Sequence, residues 1–216
     1  MPTPLSVASG PSPFAPGCEG VPQSGTLYEN AEVEPRVAVD PRDPNHIVGA
    51  FQQDRWSNGG AHGLVASTSF DGGATWTRSF AHFSFCSGSL FVDKESITAD
   101  TFDSRFVYAV WDRSTFPSDS VSLTALANTF ALRSQTVFAR TTNGGASWEP
   151  ARAIFDELKS IAFTIGNQIA VVPGRRAVPT LGNAMFLFHG SGVQRPCCDV
   201  AVLRSTDRGV SWSSAG

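Results

Sequence analysis

Arginine side chains are the groups in this 216-residue chain best suited to bind an anion. All but two of its 16 basic residues are arginines, whose planar guanidinium binds a carboxylate or phosphate through paired hydrogen bonds. Three of them are candidate substrate-binding residues: Arg36 in EPRVAV, Arg55 in QQDRW and Arg113 in VWDRS. The alternatives are a compositional bias towards arginine and surface ion pairs with the neighbouring Asp54 and Asp112.

Composition and charge exclude several classes of partner. The net charge is -3 with no long run of either sign, which argues against nucleic acid or an anionic membrane as the main partner. Hydrophobic residues make up 41% of the chain, enough for a core. No apolar run approaches the ~20 residues of a membrane span. Residues 1–25 are proline-rich and lack the pattern of a signal peptide, so they are predicted to be a flexible lead-in or the scar of an incomplete gene start.

Neither a metal nor a cofactor is predicted. Asp40, Asp43 and Asn45 in DPRDPN are oxygen ligands at short spacing, but the spacing matches no known calcium loop, and Asp-Pro turns form without metal. No Cys/His spacing resembles a zinc site.

Four cysteines allow three pairings, and their spacing does not choose among them. They are Cys18, Cys86, Cys197 and Cys198. Adjacent cysteines rarely bond each other, and a bond between Cys18 and Cys86 would bracket the first repeat described below. We therefore predict a disulfide bond between Cys18 and Cys86. Such a bond requires an oxidising compartment, so we expect a secreted, cell-surface or periplasmic protein.

One eight-residue pattern occurs three times, as SFDGGATW at 69–76, TTNGGASW at 141–148 and STDRGVSW at 205–212. Its shared positions are a hydroxyl (Ser69, Thr141, Ser205), an oxygen acceptor (Asp71, Asn143, Asp207), a glycine (Gly73, Gly145, Gly209) and an indole (Trp76, Trp148, Trp212). The glycine permits positive φ, and the acceptor can bond backbone N–H groups within its own turn. Because an asparagine replaces the aspartate in one copy, the position is predicted to be structural rather than catalytic.

The repeat is part of a larger unit. Residues 37–51, 97–111 and 169–188 each read as two β-branched runs around a turn, which predicts a hairpin. A third strand precedes each eight-residue copy and a fourth follows it, so the unit is four antiparallel strands over roughly 45–55 residues, a period typical of a β-propeller blade. The three units start near Arg36, Ser96 and Gln168. Residues 120–134 read as an insertion in the second unit, with room for a short helix.

These residues resemble the Asp-box, or BNR repeat, and the span 32–216 resembles the sialidase-like superfamily. The segment EVEPRVAVDPRDPNHIVGAFQQDRWSNGG is especially similar to bacterial sialidase-like glycoside hydrolase domains. The resemblance implies a six-bladed propeller with Asp-boxes on one face and the active site on the other. It also implies a carbohydrate ligand and exo-α-sialidase activity for the complete form. Arg36 and Arg55 resemble two arginines of the family's carboxylate-binding cluster, whereas no family role carries over to Arg113.

Strand order predicts which residues share the active-site face. In a four-stranded meander the 2–3 loops and the links between units lie at the end opposite the repeat turns. We call this end the far face. It is expected to carry Glu32, Glu34, Arg36, Gln52, Gln53, Asp54, Arg55, Trp56, His62, Asp93, Lys94, Glu95, Asp112, Arg113, Asn167, Gln168 and His189.

The chain departs from the family where catalysis is concerned. Sialidases use a general acid and a tyrosine nucleophile beside a glutamate. The loop WSNGGAH after Arg55 contains no carboxylate, so Asp54 and His62 are the nearest weak catalytic candidates. Tyr28 and Tyr108 are not predicted to be nucleophiles. The alternative function is a non-catalytic propeller scaffold that binds protein or polysaccharide.

About three blades are predicted, in an incomplete propeller over residues 26–216. Closed propellers use about four to eight blades, and an open stack leaves two sheet faces uncovered. The alternatives are part of a larger propeller, a degenerate gene, or a chain that completes a ring with other copies. We take the first as our hypothesis.

Overall fold

The computed structural model describes residues 5–14, 26–57, 60–83, 90–115, 133–156, 162–172, 180–189 and 198–214. Within these ranges the chain forms strands and no helices. The strands are β1 (Leu27–Tyr28), β2 (Val33–Asp40), β3 (Asp43–Trp56), β4 (Ala61–Ser69), β5 (Thr77–Phe83), β6 (Leu90–Ala99), β7 (Val107–Thr115), β8 (Arg133–Thr141), β9 (Arg152–Asp156), β10 (Ala162–Val172), β11 (Thr180–His189), β12 (Cys198–Ser205) and β13 (Ser213–Ser214).

The strands form three antiparallel meanders of four strands each, as the sequence predicts. Blade 1 is β2–β5, blade 2 is β6–β9 and blade 3 is β10–β13. The short β1 pairs with the end of β3, and a single residue pair, Ala61 with Val92, joins blades 1 and 2 into one sheet. The first strands β2, β6 and β10 lie next to one another, as they do around the axis of a propeller. The all-β fold of four-stranded blades is therefore confirmed, in an incomplete propeller.

Each first strand starts earlier than predicted because it contains a β-bulge. The register shifts between Val33 and Arg36 in β2, and at the equivalent places in β6 and β10. One residue of each bulge has positive φ: Glu34 at 54°, Lys94 at 52° and Gly166 at 73°. A bulge adds a residue and interrupts the alternation of side chains, so the period-2 pattern can be recognised only after it.

The three repeat turns, residues 69–76, 141–148 and 205–212, have the same hydrogen bonds. In the second, the amide of Gly145 donates to Thr141 Oγ1 at 2.9 Å, and Asn143 Oδ1 accepts from the amide of Ser147 at 2.9 Å. Gly73 and Gly209 donate to the equivalent hydroxyls at 2.9 and 2.8 Å. The acidic or amide side chain thus binds its own turn, which suits a structural role.

The repeat turns also connect neighbouring blades. Thr68 Oγ1 in blade 1 donates to the carbonyl of Gly145 in blade 2 at 2.9 Å. The indole of Trp148 packs against Phe80, with ring centroids 5.5 Å apart, and donates to Ser79 Oγ at 3.3 Å. At the next junction Arg140 donates to the carbonyl of Arg208, and Trp212 packs against Phe138.

Apolar side chains fill the space between the sheets. One buried cluster contains Leu64 of blade 1 together with Trp111 and Val137 of blade 2. A second contains Tyr108 and Phe138 of blade 2 and Ile169 and Leu181 of blade 3. The core therefore lies between blades rather than within any one of them, and each blade depends on its neighbour for burial.

Residues 5–14 of the predicted lead-in contact blade 1. Phe14 is buried with Phe51 and Val65, and Arg78 donates to the carbonyl of Pro11 at 2.7 Å. The domain boundary at residue 25 stays a prediction.

Several predictions fall outside the described residues. They concern Cys18, Cys86 and Cys197, with the predicted disulfide, and residues 120–132 of the insertion predicted at 120–134. The last two residues of that predicted insertion belong to β8 instead. The part of the chain that is described has no helix long and apolar enough to cross a membrane.

Replacing Gly145 by alanine is expected to destabilise the fold by about 2 kcal/mol or more, since a residue with a Cβ at positive φ costs roughly 1–2 kcal/mol by itself. The added Cβ would also lie 2.5 Å from Thr68 Oγ1, the group that binds this turn. The matched control is Gly182→Ala, whose Cβ meets open space in β11. Urea unfolding should separate the two variants, and equal losses would contradict this role of the turn.

Candidate functional site

Gln52 is the centre of a polar cluster on the far face. It is fully buried on β3, and its Nε2 lies 3.1 Å from both Asp93 Oδ1 and Glu95 Oε2 and 3.2 Å from Glu34 Oε2. Glu34 and Lys94 occupy equivalent bulge positions in blades 1 and 2, and Lys94 Nζ donates to Glu34 Oε1 at 2.8 Å. The bulges therefore bring three carboxyl groups from two blades around one amide.

The amide of Gln52 in turn positions Arg55. Arg55 Nη1 donates to Gln52 Oε1 at 2.6 Å, which fixes the orientation of the amide because Nε2 must then face the carboxyl groups. Among the described residues Arg55 forms no ion pair, so its charge is not neutralised by a carboxylate there. The alternative ion pair with the adjacent Asp54 is not formed.

Arg36 lies exposed on β2, directly opposite Ala50. Directly opposed residues share a face of the sheet, and so do alternate residues of one strand. Arg36 therefore lies on the same side of the blade 1 sheet as Gln52, next to the Gln52 cluster.

One carboxyl group of the cluster has a strongly shifted pKa. Burial raises the pKa of Glu95 to about 7, and the charges of Glu34 and Asp93 act in the same direction. Glu95 Oε1 is buried with no hydrogen-bond partner among the described residues. A neutral Glu95 at mildly acidic pH lowers the negative charge beside Arg55.

Asp54 and His62 form a separate buried pair. His62 Nδ1 lies 3.3 Å from Asp54 Oδ2, which also accepts from Ser12 Oγ at 2.5 Å, and Asp54 Oδ1 accepts from the amide of Asn30 at 2.8 Å. Burial raises the pKa of Asp54, but the bonds from His62, Ser12 and Asn30 outweigh it and hold the pKa below 3.8. The ring of Phe14 lies 4.9 Å from that of His62, and both members of the pair are buried. Its low pKa and its burial disfavour Asp54 as a proton donor.

Asp112 binds the bulge of the next blade, as Gln52 does. Its carboxyl accepts from the amide of Gly166 at 2.9 Å, from Asn167 Nδ2 at 2.6 Å and from Thr164 Oγ1 at 3.2 Å. Burial raises the pKa of Asp112 well above 3.8. Through these bonds Asp112 holds blades 2 and 3 together.

Arg113 donates from Nε to Gln135 Oε1 at 2.9 Å, and Gln135 Nε2 donates to Asp156 Oδ2 at 2.5 Å. These contacts join strands within blade 2.

The two tyrosines differ in position. Tyr108 is buried, its hydroxyl donates to Asp100 Oδ2 at 2.8 Å, and burial raises its pKa. Tyr28 lies on β1 directly opposite Arg55 and is 52% exposed. The two-residue strand β1 is too short for its periodicity to be read from the sequence. No cluster of three or more metal-ligating side chains is found in the described ranges.

No protein-family model matches the chain, and no curated protein matches it by sequence. Solved structures do resemble it. One is the sialidase of Trypanosoma rangeli, solved with a difluoro nononic acid, with a TM-score of 0.58 and 15% identity over 98% of this chain and 33% of that one. Another is NanB, solved with optactamide, with a TM-score of 0.56 and 13% identity over 100% of this chain and 46% of that one.

A protein of unknown function from Dyadobacter fermentans matches with a TM-score of 0.54 and 15% identity, over 89% of this chain and 55% of that one. The chain thus spans between a third and just over half the length of these proteins. The likeness concerns the fold, and the sialidase-like propeller fold predicted from the sequence is confirmed.

Replacing Glu95 by glutamine should change the pH dependence of stability. A carboxyl whose pKa is raised in the folded state contributes stability at low pH that is lost as the pH rises through about 7. At pH 8 the neutral amide is expected to stabilise the fold on the order of 3 kcal/mol relative to wild type, with little difference near pH 4.5.

Denaturant unfolding at the two pH values checks this prediction, with the exposed Glu29→Gln as the control. A difference between Glu95→Gln and wild type that does not vary with pH would contradict it.

Proposed function

We propose that the chain is a carbohydrate-binding unit of a sialidase-type propeller. The far face binds the carboxylate of an anionic sugar through Arg36 and Arg55. The observation that carries the proposal is the hydrogen bond from Arg55 to the amide of Gln52, because it positions the guanidinium without neutralising it. Two guanidinium groups next to the cluster are suited to bidentate binding of one carboxylate.

One neighbouring residue and one related structure support a sugar ligand. Tyr28 is exposed opposite Arg55, and an aromatic ring with a polar hydroxyl suits the mixed surface of a sugar. The Trypanosoma rangeli sialidase of the same fold was solved with a nononic acid derivative, which carries the carboxylate that the two arginines would bind here.

We propose further that the complete propeller is an exo-acting α-sialidase or related glycoside hydrolase, and that the protein acts outside the cytoplasm, where such sugars are displayed. Arg113 is not included in the binding group, because its contact with Gln135 lies within blade 2.

The second candidate is a non-catalytic propeller that binds polysaccharide or protein. It is supported by the state of the groups that could perform catalysis. Tyr108 is buried and bonded to Asp100, and Asp54 is buried, bonded to Ser12 and has a depressed pKa. His62, the other candidate proton donor, is bound in the same buried pair.

The Arg36→Ala and Arg55→Ala variants should each weaken binding of a sialoside by about tenfold or more, since a hydrogen bond to a charged group contributes roughly 1.5–3 kcal/mol. The matched control is Arg42→Ala, in the β2–β3 turn at the opposite end of blade 1, which should bind as wild type does.

Calorimetry gives the affinity, and a fluorogenic sialoside reports turnover. Turnover that either arginine variant abolishes would support the hydrolase, and binding without turnover would support the second candidate. Equal affinity in all three variants would rule out the arginine site.

A further inference from the structure

The two blade junctions follow one pattern. We call the face of a blade that meets the following blade its back face, and the face that meets the preceding blade its front face. On the back face a side chain next to the repeat turn donates to a turn carbonyl of the following blade: Thr68 to Gly145, and Arg140 to Arg208. On the front face lies the indole of the repeat turn, as for Trp148 and Trp212.

Residues 5–14 occupy the front face of blade 1 and make the contacts of a missing blade. Ser6 Oγ donates to the carbonyl of Gly73, the same contact that Thr68 makes with Gly145. Ser6 Oγ also accepts from Trp76 Nε1 at 3.2 Å, as Ser79 Oγ does from Trp148. One serine thus supplies two contacts that a preceding blade supplies at the next junction.

Phe14 supplies the apolar contacts that a preceding blade would make with blade 1. It packs against Phe51 and Val65, which by register are equivalent to Trp111 and Val137 of blade 2. At the junction of blades 1 and 2 those two residues pack against Leu64 and Phe80 of blade 1. The cover stops short of β2, where Val37 and Val39 remain 60% and 44% exposed.

No described residue covers the back face of blade 3. Phe186 and Val200 are 51% and 66% exposed there, and Val202 and Arg204 are exposed beside them. By register Arg204 is equivalent to Thr68 and Arg140, the two donors to a following repeat turn. This face therefore has the donor and the apolar surface that the front face of blade 1 accepts.

We propose that two copies of the chain associate head to tail. The back face of blade 3 of each copy binds the front face of blade 1 of the other, in place of residues 5–14. Two such contacts form a ring of six blades, within the range of known propellers, which is the arrangement of a chain that completes a ring with another copy. Residues 5–14 act as an intramolecular competitor, so weakening their contacts promotes association.

The test is sedimentation equilibrium of the full chain carrying Ser6→Ala and Phe14→Ala. The dissociation constant of the dimer should fall by about tenfold or more relative to wild type, a shift that corresponds to about 1.4 kcal/mol. Adding Val202→Glu on blade 3 should return this variant to a monomer. The matched control adds Phe102→Glu instead, an exposed residue in the β6–β7 turn away from both faces, and should remain dimeric.

A second measurement separates failure to associate from failure to fold. Circular dichroism must show a cooperative melt for each variant, and a synthetic peptide of residues 5–14 added to the double variant should restore the monomer. A folded double variant that stays monomeric at every concentration overturns the proposal. So does equal loss of the dimer with Phe102→Glu, or growth of open chains instead of a closed dimer.

Discussion

The contact between a repeat turn and the sheet of the preceding blade is the interaction on which the rest of the structure depends. A single four-stranded meander has two faces and can bury neither alone. The repeat turn allows one blade to bury a face against the next. Its hydroxyl and acceptor side chains fix a backbone conformation that presents a carbonyl and an indole to the neighbouring blade. Gly145 lies buried at this contact, where there is no room for a Cβ.

The polar cluster of the far face depends on the same stacking of blades. Gln52 belongs to blade 1, but two of the three carboxyl groups around its amide belong to blade 2. Asp112 repeats this arrangement between blades 2 and 3. The position of Arg55 is therefore set by the junction, and any change in how the blades pack would move the guanidinium.

The sequence predicts the fold well because the repeat supplies three independent copies of one signal. The turn residues fix the 3–4 connection, and the β-branched runs fix the hairpins on either side. The bulges at Glu34 and Lys94 have no such signal, since neither residue type favours positive φ. The strand starts were misplaced for that reason.

The site is predictable only in part. Topology alone placed Arg36, Gln52 and Glu95 on one face, but the role of Gln52 follows from contacts across two blades that no local pattern encodes. Residues 5–14 were assigned to a flexible segment from their prolines, whereas Phe14 and Ser6 match positions of a neighbouring blade. That match becomes visible only when the two junctions are compared in three dimensions.

The central claim is that the repeat turns bind the blades into one cooperative unit, and native-state hydrogen exchange tests it most directly. The amides of Gly145 and Gly209 donate to hydroxyls in buried turns at the two junctions. They should exchange only through global unfolding, with the same free energy as the amide of Val110 in the middle of β7. Exchange of Gly145 or Gly209 through an opening that leaves Val110 protected would show that the blades separate independently and would contradict the claim.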